Sequence, residues 1–277
     1  MAKKEFDLLC IGNALVDVFA RDEEGTASRC GISLPVQHID IKKLLEILPL
    51  LAGPVITSGG GAANTAKIAG LLGAKVRFIG TVGKAEGTAQ PGEPEQPDRF
   101  GRLFAESLAS AGVKLTLPLK PSPTGIFLML KLKDGESRIA ASPSAARELS
   151  ESDIAEDDVK KARLVVIDGF MWDRPGLIRR ILDLADQCGT VAALDLGSAA
   201  IAREHAAEIA EYAHRYSLIL FMNEAEAEAF YKEVRGKREG VREKGEERRE
   251  KVEGVREQRA ESREQRAKSR EQRAGRR

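Results

Sequence analysis

Over the first 231 residues the apolar positions fall in short runs, set off by glycines and by stretches of helical spacing. Phe6 to Ile11 (FDLLCI) is a run of strand length, broken by Gly12 and Asn13. Val55 to Thr57 predicts a second short strand. It runs through Gly59, Gly60 and Gly61 into an Ala-rich helix over Ala62 to Leu72, and Gly73 stands where a terminating glycine belongs. Val76 to Thr81 predicts the next strand, and a helix follows from about Asp98 to Ala111, closed by Gly112. Further on come a strand over Leu164 to Ile167, a helix over Pro175 to Cys188 and a strand over Val191 to Leu194. Ala199 to Tyr216 is mostly helical, and Leu218 to Phe221 is a strand. Strand–helix–strand alternation of this kind predicts an α/β fold, with a parallel sheet covered by helices on both faces.

Two segments break the alternation. Lys114 to Ala141 carries three extended runs, LTLPL, GIFLMLKL and SRIAAS, with Lys133-Asp134-Gly135 between the last two. Asp-Gly between alternating runs signals a hairpin, so a small sheet or lid beside the main domain is expected. Ala85 to Pro97 (AEGTAQPGEPEQP) has almost no apolar residue and reads as a surface loop or insertion.

After Tyr231 the chain changes character. REQRAES, REQRAKS and REQRAGR repeat from Arg256, Arg263 and Arg270, with one Ala per repeat in place of the two apolar heptad positions a coiled coil needs. From Lys232 to the end there are 18 Lys or Arg and 11 Glu, a surplus of seven. The whole chain carries a formal net charge of +1, which leaves residues 1–231 at −6. The expected organisation is a domain over 1–231 and a charged low-complexity tail over 232–277, either a solvated helix or disordered. Interspersed Glu and the lack of aromatics argue against specific nucleic-acid contacts by that tail.

Composition narrows the class. With 277 residues, 42% of them hydrophobic, the chain can bury one large core or one core plus a small appendage. Cys10, Cys30 and Cys188 are few, odd in number and far apart, which fits a reducing cytoplasmic setting better than a disulfide framework. His38, His205 and His214 lack zinc-ligand spacing and read as surface or packing residues. Lys3 and Lys4 precede a strand that Asn13 and Asp17 interrupt, not a signal peptide, and no apolar run is long enough to span a membrane.

Candidate chemistry gathers at the ends of strands. Gly12-Asn13-Ala14-Leu15-Val16-Asp17 places a carboxylate past the first strand, where open α/β sheets bind ligands. Asp17 could accept hydrogen bonds from neighbouring sugar hydroxyls, or be a turn or capping residue. In Ser58-Gly59-Gly60-Gly61-Ala62-Ala63-Asn64, the glycines let backbone approach a ligand and Asn64 can donate and accept toward vicinal hydroxyls. The same glycines also suit a tight turn. A dinucleotide fingerprint would need glycine where Asn64 stands, which counts against an NAD-dependent oxidoreductase. No P-loop occurs around Gly83-Lys84. Asn223-Glu224-Ala225-Glu226 follows the last strand. Asn223 and Glu226 could hold hydrated Mg²⁺ beside nucleotide phosphates, or form a capping box. Phe127, Phe170 and Trp172 could flank a purine or belong to the core.

In order and spacing these motifs resemble the ribokinase-like, or PfkB, family of carbohydrate and nucleoside kinases. The matching elements are GNALVDV, GGGAANTA, G-x-V-G followed by D-x-x-G, Thr124-Gly125 opening the middle strands, and N-x-x-E. The resemblance covers about residues 5 to 231, and its wording is most similar to the adenosine-kinase-like branch. It implies a three-layer α/β/α domain with a small β-sheet lid built from about 15–40 and 114–141. It implies ATP-dependent phosphorylation of a sugar or nucleoside hydroxyl with Mg²⁺. Asp17, Gly60, Gly61 and Asn64 would hold the acceptor, while Asn223 and Glu226 would organise phosphates and metal, with Glu226 a metal ligand.

One family signature has no counterpart. The D-T-x-G-A-G-D segment, whose last Asp serves as base and whose glycines open an anion-binding helix, is not found, and Asp195 is the last aspartate in the chain. The sequence therefore reads as a ribokinase-like domain whose C-terminal part is missing. It is expected to have little or no kinase activity and to expose an unpaired sheet edge. A non-catalytic sugar- or nucleoside-binding remnant, or a frame-shifted product, is the competing expectation.

Overall fold

The structure is a computed structural model and describes residues 4–23, 25–87 and 94–236. Six parallel strands form the central sheet: β1 (Phe6–Ile11), β5 (Val76–Ile79), β7 (Lys114–Thr116), β11 (Ala162–Ile167), β12 (Val191–Asp195) and β13 (Ile219–Phe221). Their order is β13-β12-β11-β1-β5-β7. Because both faces are covered, β1 is apolar from Leu8 to Ile11, and its side chains divide between two cores. Leu9 and Ile11 join Val165, Ile167, Ile79 and Leu194 on one face. Cys10 joins Val166, Phe78 and Val76 on the other.

The first face is closed by α5 (Glu156–Lys161), α6 (Pro175–Gln187), α7 (Ala199–Glu204), α8 (Ala206–Arg215) and a helix over 224–236. The second is closed by α3 (Gly61–Leu71) and α4 (Arg99–Ser110), which contribute Ala62, Ala63, Ala66, Phe104 and Leu108. Ile178, Ile181 and Leu182 on α6 are fully buried at helical spacing. Each is worth about 1.5–3 kcal/mol of apolar burial.

The lid is a second, five-stranded sheet: β2 (Leu15–Arg21), β3 (Val36–His38), β4 (Val55–Gly59), β9 (Thr124–Lys131) and β10 (Ser137–Ser144), in the order β3-β10-β9-β2-β4. Val16, Val18, Ile126, Leu128, Leu130 and Ala140 pack beneath Leu44 and Ile47 of α2 (Ile41–Ile47) and Phe100 of α4. A short helix α1 (Thr26–Arg29) joins β2 toward β3. The opposite lid face aligns Thr57, Asp17, Phe127, Ala141 and His38 in one cross-strand row. A two-stranded ladder of β6 (Val82–Gly83) and β8 (Leu119–Lys120) links the two bodies.

Two expectations change. Val55–Thr57 does not continue the parallel sheet; it is part of β4 and pairs antiparallel with β2, from Leu15 opposite Gly59 to Phe19 opposite Val55. Val55 is 64% exposed there, so its short apolar run is half-solvated rather than buried. Lys114–Thr116, expected in the lid, instead extends the central sheet beside β5, where Arg77 holds Thr116 Oγ1 from both Nε and Nη2. The lid's later stretch therefore starts at Thr124 and ends at Ser144, and its earlier one includes β4. The charge repeats after residue 236 and the middle of the proline-rich insertion (88–93) lie outside the described residues.

Candidate functional site

A cavity of about 720 Å³ opens at the carboxyl ends of β1 and β11, between the lid and the body. Asp17, Gly60, Gly61 and Asn64 all line it. Asp17 comes from lid strand β2 and the others from the start of α3, so two separate bodies converge on one space.

The triple glycine has a specific cause at two positions. A Cβ on Gly59 would stand 2.1 Å from Asp17 Oδ1, so the Asp17 carboxylate occupies the space a side chain would need. Gly60 has φ +102°, and a Cβ there would lie 2.2 Å from the Asn13 carbonyl oxygen. Gly60 then serves as the N-cap of α3 with no side-chain cap, leaving the first helical N–H groups to other partners. Burial pushes the Asp17 carboxyl up to about 6.

Beside these stand groups that the motif reading left out. Asp168, directly after β11, is 1% exposed. Its carboxylate accepts the Asn13 N–H at 3.2 Å and the Phe170 N–H at 3.0 Å. Burial raises its pKa, with Asp195 adding to the rise. Arg174 fixes the Asn13 amide: Nη2 donates to Asn13 Oδ1 at 2.7 Å and Nη1 to the Ala146 carbonyl at 2.6 Å, while Asn13 Nδ2 donates to the Phe170 carbonyl. Asp173 Oδ2 pairs with Arg147 Nε at 2.9 Å at the cavity lining.

Opposite α3 the wall is aromatic. Trp172 stacks on His205 with centroids 4.9 Å apart and planes 10° from parallel. His205 Nδ1 donates to Glu208 Oε2 at 3.0 Å. Phe170 is half exposed, and Phe127 faces in from the lid. Sequence signals for part of this existed. Asp168 follows an apolar run and precedes a glycine, as Asn13 follows Gly12. Nothing in the spacing of Trp172 and His205 foretold their stacking.

Other motifs lie away from this cavity and make hydrogen-bond networks of their own. Asp98 Oδ1 accepts from the Gly101 N–H and from Thr124 Oγ1, both at 2.7 Å, and Oδ2 accepts from the Thr124 N–H at 2.7 Å. Thr124 Oγ1 in turn accepts from the Gly83 N–H at 2.9 Å. G-x-V-G, D-x-x-G and Thr-Gly thus form one buckle between lid and body, outside the cavity. Asn223 and Glu226 form a capping box. Glu226 accepts from the Asn223 N–H at 3.0 Å and Nδ2 at 2.8 Å, and its own N–H donates to Asn223 Oδ1 at 3.0 Å. Both Glu226 oxygens are engaged, and neither residue lines the cavity. Among the described residues no group of three or more His, Cys, Asp or Glu could hold a metal ion. The arrangement does not fit direct ligation of Mg²⁺ by Glu226.

Residues 42–255 match the pfkB family carbohydrate kinase. The chain belongs to that family. Adenosine kinase from Sinorhizobium meliloti superposes with a TM-score of 0.68 at 25% identity, covering 82% of this chain and 68% of that one. A probable sugar kinase from Rhizobium etli CFN 42 gives 0.68 at 24%, covering 83% and 68%. Adenosine kinase from Schistosoma mansoni, in complex with adenosine in an occluded loop conformation, gives 0.67 at 19%, covering 84% and 67%; at such identity the likeness shows the fold. No curated protein matches. This pfkB-family chain has the ribokinase-like architecture expected from its sequence. Among its described residues no helix is long and apolar enough to cross a membrane.

Proposed function

We propose that this pfkB-family chain carries the acceptor-binding body of an ATP-dependent kinase that phosphorylates a hydroxyl of a nucleoside or sugar. The observation that carries the reading is the convergence of Asp17, from the lid, with Gly60, Gly61 and Asn64, from the body, on one cavity. A carboxylate accepting two vicinal hydroxyls and an amide that both donates and accepts suit a cyclic polyol. The Phe170 and Phe127 surfaces, with the His205 ring backed by buried Trp172, supply apolar area for a base, which favours a nucleoside over a free sugar. That preference agrees with the adenosine kinases among the similar folds.

ATP and Mg²⁺ enter through family membership alone. This chain's own residues bind and orient the acceptor and shield it from water between lid and body. Phosphoryl transfer rests on positioning and charge stabilisation, and these 277 residues contain no D-T-x-G-A-G-D segment to supply the base and anion hole. The reading is therefore that the chain binds its acceptor without efficient turnover.

Calorimetric titration with adenosine and with D-ribose tests the acceptor site. Saturable binding lost at least ~100-fold in Asp17→Ala is expected, from two charge-assisted hydrogen bonds of about 1.5–3 kcal/mol each. No binding of either ligand would overturn the acceptor reading. Rapid transfer of the γ-phosphate of ATP to adenosine would overturn only the reading of slow turnover.

A further inference from the structure

The cavity's charges are lopsided. Asp17, Asp168, Asp173 and Glu204 line it, with Arg147 the one Lys or Arg among the lining residues. That guanidinium already faces Asp173, whose other oxygen accepts from Arg174 Nε at 3.0 Å. Arg174 itself is turned to Asn13 and Ala146. Among the described residues Asp17 has no cation within hydrogen-bonding distance, and Asp168, whose pKa burial raises, has only the more distant Arg174 favouring its charged form. Asp168 accepts only backbone N–H groups, and Asp17 sits against Gly59.

We propose that this cavity selects uncharged acceptors and rejects anionic ones, such as sugar phosphates and sugar acids, because its carboxylates outnumber a single arginine that Asp173 already holds. The inference rests on the reading of the cavity as an acceptor site, and it makes the Arg147–Asp173 pair a specificity determinant. An anionic acceptor entering here would meet like charges across a partly desolvated space, where they act more strongly than in bulk water. It would also find the arginine compensated.

The test compares near-isosteric neutral and anionic ligands by calorimetry: adenosine with adenosine-5′-carboxylate, and D-sorbitol with D-gluconate. The neutral member is expected to bind at least ~10-fold more tightly at about 20 mM salt. The ratio should shrink toward unity at about 500 mM, where the screening length drops to a few ångströms, roughly 4 Å. Steric exclusion would not respond to salt. Asp173→Asn should narrow the ratio at low salt by releasing Arg147, and Arg147→Gln should widen it. An anion that binds as tightly as its neutral partner at low salt overturns the proposal, as does a ratio unmoved by salt and by both substitutions. Binding by neither member of either pair removes the acceptor site, and this inference with it.

Discussion

Replacing Asp17 by Asn keeps the shape of the side chain and removes its charge, and the structure gives its two consequences opposite signs. Burial lifts the carboxyl from 3.8 to about 6. Between those values the folded chain holds a proton that the unfolded chain has released. Stability contributed by this group is therefore present at low pH and lost as pH rises through about 6. At pH 7 the ionised carboxylate is a net cost. The shift corresponds to about 3 kcal/mol at most. Contact of the half-buried group with water reduces this to about 1–2 kcal/mol. Asp17→Asn should accordingly raise the unfolding free energy at pH 7 by about 1–2 kcal/mol and leave it nearly unchanged at pH 4.

The same substitution should cripple binding. Two hydroxyl hydrogen bonds to a carboxylate, at about 1.5–3 kcal/mol each, become neutral ones of about 0.5–1.5 kcal/mol. A loss of about 2–3 kcal/mol is a roughly 30- to 150-fold weaker Kd. Urea unfolding at pH 4 and pH 7, paired with calorimetry on adenosine, reads both effects on one variant. A variant that is less stable at pH 7, or one that binds as wild type does, refutes the reasoning. The first outcome would mean that Asp17 is held by interactions inside the protein. The second would mean that its carboxylate is idle.

Acceptor affinity in the wild type should be flat above about pH 7 and fall as pH drops through about 6, approaching tenfold per unit, because only the ionised Asp17 accepts two hydroxyls; a pH series of titrations checks this. Gly59→Ala puts a methyl 2.1 Å from Asp17 Oδ1 and should cost about 1–3 kcal/mol in urea unfolding while displacing the carboxylate, so binding weakens too. Thr124→Val strips the buckle's hydroxyl and leaves the Gly83 N–H without its acceptor, a loss of about 1–3 kcal/mol by the same measurement, with ligand contacts untouched.

The alternation of strands and helices was legible because a doubly covered parallel sheet needs continuous apolar runs, and Leu8–Ile11 and Leu164–Ile167 supply them. GGGAAN was legible for a related reason. Three glycines before a helix are costly unless backbone or ligand must come close, and here Gly59 yields to Asp17 and Gly60 to Asn13. Val55–Thr57 and Lys114–Thr116 were assigned to the wrong sheets because strands this short carry no pattern that separates one partner from another. Their placement is decided by register, which links Asp17 to Thr57 and Ile79 to Thr116 across long stretches of chain. Of the two readings that an amide and a carboxylate three residues apart leave open, a capping box is the one whose bonds Asn223 and Glu226 form here. The Trp172–His205 wall joins residues from β11's following turn and from the α7–α8 junction, a pairing that only tertiary packing creates.

The lid and the hydroxyl-reading helix are continuous in the chain, and that continuity gives the site its logic. β4 ends at Gly59 and α3 starts at Gly61, so Gly60 is the single residue between the lid strand and the first turn of α3. The other attachments are held by specific bonds: the Asp98–Thr124–Gly83 buckle before β9, and the Arg174–Ala146 bond with the Arg147–Asp173 pair after β10. A ligand whose hydroxyls reach Asp17 and Asn64 together would bridge the lid strand and the body helix. Binding energy at those two residues is then also energy for lid position, by the reciprocity that linkage requires. Gly60 sits between the two reading groups, where positive φ and the Asn13 carbonyl, 2.2 Å from a Cβ, leave no room for any other residue, so a side chain there would disturb both Asp17's strand and Asn64's helix.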